Sequence, residues 1–118
     1  MAVLATQIGT LATFTGTATG TDTLMGDGCE FLNILYTSTG AATNTVRLER
    51  SLDNGTTWVQ VAATTHTFLG TKTDSSQNVA TGSPVEFGIL YPSGLYRAVC
   101  SAHNAGTHTV QWRKGFRA

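Results

Sequence analysis

An all-β fold, built as an antiparallel β-sandwich, is what this sequence predicts. Three observations lead there. Thr occupies 22 of 118 positions, and its β-branched side chain suits a pleated strand better than a helix. No stretch of ten or more residues carries a helical 3.6-residue apolar period, so no helix of consequence is expected. Short alternating runs are instead separated by Gly, Asn, Asp and Ser clusters, the punctuation of strands and turns.

The elements follow in order. In the N-terminal segment Thr13, Thr15, Thr17, Thr19, Thr21 and Thr23 recur at every second position. Drawn out as one strand they would set six hydroxyls on one face. The opposite face, after Phe14, is Gly16, Ala18, Gly20 and Asp22, which bury little area. Residues 1–28 are therefore expected as a Thr/Gly-rich arm or edge strand, and residues 29–118 as the sandwich. Phe31 to Tyr36 is apolar at nearly every position and is expected in the centre of a sheet, covered on both faces. Val46 to Arg50 and Trp58 to Ala62 alternate around the polar turn Ser51 to Thr57, a hairpin pattern. Thr65 to Leu69 is a weaker strand, 72–82 reads as a long polar loop, and Val85 to Ile89 regains strand character. After the turn at Tyr91 to Gly94, Leu95 to Ala102 alternates, with Tyr96, Ala98, Cys100 and Ala102 on one face. A turn at His103 to Gly106 leads to a last strand, Thr107 to Arg113, followed by a solvated tail. About seven to eight strands of this kind make an immunoglobulin-like or jelly-roll-like sandwich.

Composition narrows the function. Seven bases balance seven acids, which argues against binding nucleic acid by phosphate neutralisation. The charges are unevenly placed. Asp22, Asp27 and Glu30 stand in the first 46 residues without a base, and Arg97, Arg113, Lys114 and Arg117 stand after residue 86 without an acid. One reading is complementarity between neighbouring subunits. No signal peptide is recognisable, and no apolar run approaches the ~20 residues that cross a bilayer. Assembly in a cytoplasm is thus expected, with Cys29 and Cys100 as buried thiols rather than a bridge.

Candidate chemistry is sparse. His103 and His108 flank one turn and could face each other, but no third metal ligand lies close in sequence. No G-x-S-x-G elbow, G-x-G-x-x-G loop or Walker motif occurs. No catalytic residue, cofactor or metal is expected. A hydrolase would need two of Glu30, Glu49, Asp53 and Glu86 in one cleft. A carbohydrate-binding module would need two of Trp58, Trp112, Tyr36, Tyr91 and Tyr96 exposed together.

Ser51, Asp53, Gly55, Thr57 and Trp58 resemble an Asp-box, S-x-D-x-G-x-T-W. Asp53 would accept from turn amides, Asn54-Gly55 would supply positive φ, and Trp58 would cover the hairpin. A single copy excludes a propeller and makes Asp53, Gly55 and Trp58 structural. Leu95 to Cys100 followed by Asn104-Ala105-Gly106 resembles the last two strands of immunoglobulin-like domains, without the disulfide core. From Thr45 to Arg113 the order of hairpin, polar stretch, P-S-G-L-Y-R turn and Thr/Val/Trp strand resembles small β-sandwich virion proteins of tailed bacteriophages. That resemblance implies a capsid decoration (cement) protein, or a tail or fibre accessory, resident in the virion. Its partners would be the major capsid protein or another virion protein and further copies of itself, as a trimer, with neither nucleic acid nor membrane. Contacts are expected through the arm at 1–28 and the 70–82 loop. Thr13, Thr15, Thr17, Thr19, Thr21, Trp58, Arg113 and Arg117 are the candidate contact residues.

Overall fold

Period-2 alternation becomes two antiparallel sheets packed face to face, with no helix among the described residues. The computed structural model describes residues 4–39, 44–61, 65–67, 77–79, 85–89, 92–103 and 106–117. The strands are β1 (Leu4–Phe14), β2 (Ala18–Thr19), β3 (Leu24–Met25), β4 (Phe31–Ser38), β5 (Asn44–Ser51) and β6 (Val59–Gln60). After them come β7 (Thr65–Thr67), β8 (Gln77–Val79), β9 (Val85–Ile89), β10 (Leu95–Ala102) and β11 (His108–Arg117). The first sheet runs β1-β11-β4-β9-β7; the second runs β2-β10-β5-β6, with β3 also on β10 and β8 also on β5. Eleven elements exceed the expected count because β2, β3 and β6 are two-residue pairings and β7 and β8 three-residue ones.

The pairings are nested. The first strand pairs the last (β1 with β11), β2 pairs β10, β4 pairs β9, and β5 pairs β6. Closure across the nest comes from β11 with β4 and β10 with β5. One long hairpin rolled up on itself gives this order, which decides for the jelly-roll kind over the immunoglobulin-like kind. The immunoglobulin-like reading of the C-terminal strands fails for the same reason. β10 and β11 belong to different sheets, so these two strands do not form a hairpin.

The core lies between the sheets. Leu32, Ile34, Tyr36 and Val110 from the first sheet meet Val46, Leu48, Tyr96, Ala98 and Cys100 from the second, each at most 1% exposed. Leu11 and Phe14 close one side. Burying each of the Val, Leu, Ile and Phe side chains among them stabilises the fold by roughly 1.5–3 kcal/mol before conformational entropy is counted. The expectation for Phe31–Tyr36 needs correction. β4 is the middle strand of its sheet, but Leu32, Ile34 and Tyr36 are buried while Phe31, Asn33 and Leu35 are half-buried. Neighbours in the same sheet give that outer face part of its cover. Phe31, for example, lies across Gly115, where a Cβ would collide with its ring.

Four further expectations change. The Thr ladder is not one strand: β1 ends at Phe14, the chain bends, and Ala18–Thr19 pairs with β10 in the other sheet. The 72–82 stretch contains β8, which pairs with Asn44 to Val46 of β5. The supposed tail after Arg113 continues β11 to Arg117, paired with Leu4 to Ile8. In β10 a register shift after Cys100 leaves Ala102 exposed, out of the buried face it was expected to share. Phe68, Leu69, Tyr91, Asn104 and Ala105 lie outside the described residues.

Candidate interaction surfaces

The Asp-box turn is closed by its own side chains. Ser51 Oγ donates to Asp53 Oδ1 at 2.8 Å and accepts the Gly55 amide at 2.8 Å, and the Thr57 amide donates to Asp53 Oδ1 at 2.7 Å. Asn54 (φ 61°) and Gly55 (φ 94°) take the left-handed conformations expected of them. The Thr57 amide and then the Ser51 hydroxyl hold the Asp53 carboxyl at about 2. Asp53 and Gly55 are thus both held within this hydrogen-bonded turn.

Trp58 is neither buried nor free. Its indole Nε1–H donates to Gly55 O at 3.1 Å, and the Arg97 guanidinium stacks on its ring, 4.3 Å from the centroid. Arg97 also pairs with Glu49 at 2.8 Å, while Arg47 takes the other carboxylate oxygen at 2.9 Å. The Glu49 side chain is only 8% exposed. Sequence reading missed this cluster. Arg47 and Glu49 are two apart on one strand face, but Arg97 comes opposite Glu49 only through the β5–β10 register. Beyond it, Leu52 (70% exposed) and Val59 (54%) flank a hollow with Arg50, Asp53 and Thr57 that holds no second carboxylate.

The first sheet presents a different outer face. Ile8 is 73% exposed. It lines a shallow hollow of about 160 Å³ with Asn33, Leu35, Gln111, Trp112 and Arg113. Arg113, a candidate contact residue, is exposed there. Arg117 pairs with Leu4 at the end of β11. Trp112 packs against the core across Gly9, where a Cβ would press into its indole. Thr13, Thr15, Thr17, Thr19 and Thr21 are all exposed, but on either side of the bend that carries the chain between sheets.

The aromatic pair that a carbohydrate platform would need is absent among the described residues. Tyr36 and Tyr96 are fully buried, Trp112 packs inward, and Trp58 lies under Arg97. The two histidines do meet, His103 Nδ1 lying 2.9 Å from His108 Nε2, while Ser38 Oγ lies 2.8 Å from His108 Nδ1. His108 is fully buried. Burial, followed by the neighbouring His103, pushes its pKa below the ordinary 6.5. No group of three metal-ligating side chains forms among the described residues. Both thiols are free. Cys100 is buried as expected, whereas Cys29 is half-exposed because it sits in the turn before β4.

The sequence matches no known family model, and no curated protein matches it. Among solved structures, the chain is similar to the SPBc2 prophage-derived protein YomS, with a TM-score of 0.75 over 98% of this chain and 96% of that one at 10% identity. A second similarity, to a chain from Bacillus endospore appendages described as disulfide-linked pili, has a TM-score of 0.46 at 13% identity, over 98% of this chain and 91% of that one. The first likeness is one of fold; the second is too slight to bear on it.

Proposed function

We propose that this chain is a non-enzymatic structural protein of a bacteriophage particle, a decoration (cement) protein that bridges neighbouring capsomers of the head. The observation that carries the reading is where the ionisable side chains are engaged. Glu49, Arg47 and Arg97 lock to one another, and Asp53 holds a turn. What remains available is extended surface: a sheet face around Ile8, the exposed Thr13 to Thr21 crossing, and a strand edge. Such a molecule is equipped to bury area against a partner, and repetition over a symmetric shell multiplies a modest gain per copy.

The fold-level likeness to a prophage-derived protein supports a phage context. Jelly rolls also serve as capsid and lectin domains, an argument by analogy that lends support without assigning a role. In this reading the chain is made in the host cytoplasm and resides in the virion, against the major capsid protein. The test is composition of purified particles. Density-gradient fractions of a lysate producing this chain should contain it in intact heads at many copies, and heads lacking it should release DNA at lower temperature. Recovery only in the soluble fraction would overturn the proposal.

A further inference from the structure

We infer that the β1 edge, from Leu4 to Thr10, is a self-association site that pairs antiparallel with the same segment of a second copy. β1 ends the first sheet, and no described strand pairs with its outer side. An edge strand offers a row of amide and carbonyl groups, and proteins usually block such edges with charge, proline or a covering segment. The second half of β1 is flanked in this way. Thr10 to Phe14 share a hollow with Ala18 to Asp22, and Gly20 lies against Ala12 and Phe14. A register shift between Thr10 and Ala12 marks the boundary.

The first half has no such protection. Leu4-Ala5-Thr6-Gln7-Ile8-Gly9-Thr10 contains neither charge nor proline. Thr6, Gln7, Ile8 and Thr10 are exposed, Ile8 at 73%. A neutral, proline-free stretch of this kind on an open edge invites strand pairing.

Three features commit the occupant to a second copy. Pairing the segment with itself in full overlap sets Leu4 opposite Thr10, Ala5 opposite Gly9, Thr6 opposite Ile8, and Gln7 opposite the partner copy's Gln7. Uncharged residues then face uncharged residues at every position. The same register brings the two Ile8 side chains onto one face as diagonal neighbours, roughly 7–8 Å apart between backbones and within reach of each other. The association also closes. The opposite edge of this sheet is β7, three residues long, so a two-fold at β1 ends growth where a head-to-tail contact would propagate it. A two-fold pair is a different assembly from the trimer expected from the sequence, and the two are told apart by mass. The inference goes beyond the virion proposal and stands without it.

The test is sedimentation velocity across a concentration series of the full chain, with two exposed-site variants. The native chain should reach dimer mass. Ile8→Lys sets two like charges diagonally across the two-fold and should weaken dimerisation at least ~10-fold. Val59→Lys, on the second sheet, should leave it unchanged. Matching thermal unfolding of the two variants excludes misfolding as the cause. Register is read separately in a Cys29→Ser background, where Gln7→Cys should form an intermolecular disulfide under mild oxidant and Thr13→Cys should not. A monomer at every concentration overturns the inference. So does an oligomer, trimer included, that tolerates Ile8→Lys and fails to cross-link at position 7. Either result leaves the virion proposal to be decided by particle composition.

Discussion

The two outer faces of the sandwich use their residues in opposite ways. On the second sheet, Arg47, Glu49, Arg97 and Trp58 form a chain of ion pairs and ring stacking. On the first sheet, Ile8, Asn33, Leu35 and Gln111 surround a shallow hollow with Arg113 exposed beside it, and the adjoining β1 edge has no described partner strand. The contrast shows that a charge-poor protein can lock several of its ionisable groups to one another on one face for stability. The other face carries Arg113 beside a hollow otherwise lined by uncharged residues.

That comparison can be broken in stages. The largest stability effect is expected from Glu49→Ala, which leaves Arg47 and Arg97 facing each other. Discounting for the partial exposure of both guanidinium groups, urea unfolding should show a loss of about 2–3 kcal/mol. A loss below the error of the measurement would mean the cluster is ornamental. Trp58→Ala removes the surface on which Arg97 stacks and should cost about 0.5–1 kcal/mol, with little change in oligomeric mass.

Acid should act on two groups in separate windows. The folded-state pKa of His108 is lowered, so the unfolded chain takes up the proton first. Its contribution to stability is complete above 6.5 and declines as pH falls below that value. His108→Gln should flatten the slope of unfolding midpoint against pH there. Asp53 is also lowered, so its contribution is present above 3.8 and lost as pH falls from 3.8 towards about 2. Asp53→Asn should remove that lower limb and leave the His108 limb intact. Ile8→Lys is expected to have the smallest effect on monomer stability, within about 0.5 kcal/mol, although it should weaken association at least ~10-fold. A large loss of monomer stability would instead place Ile8 among the packing residues of its sheet.

Much of the site was legible only in pieces. Asp53, Gly55 and Asn54 could be assigned roles because a turn is local: donors, acceptor and positive φ lie within four residues. Trp58 was recognised as the residue to question, but its stacking partner lies thirty-nine positions away in Arg97. Arg113 was selected for its charge, yet the hollow beside it depends on Ile8 and Leu35 from two other strands. The Thr series looked continuous because a period of two says nothing about a bend at 15–17.

By itself, the sequence determined what short range decides. Its alternation set which residues share a face, its turn chemistry placed the Asp-box loop, and the dearth of helical periodicity made the fold all-β. Tertiary structure alone decided which strand lies beside which. Only the rolled pairing separated β10 from β11, set Arg97 opposite Glu49, and left β1 at an edge. The reason is physical. Alternation specifies a buried face equally well for any neighbour with a matching face, so the choice among neighbours falls to the joint packing of both sheets around one core.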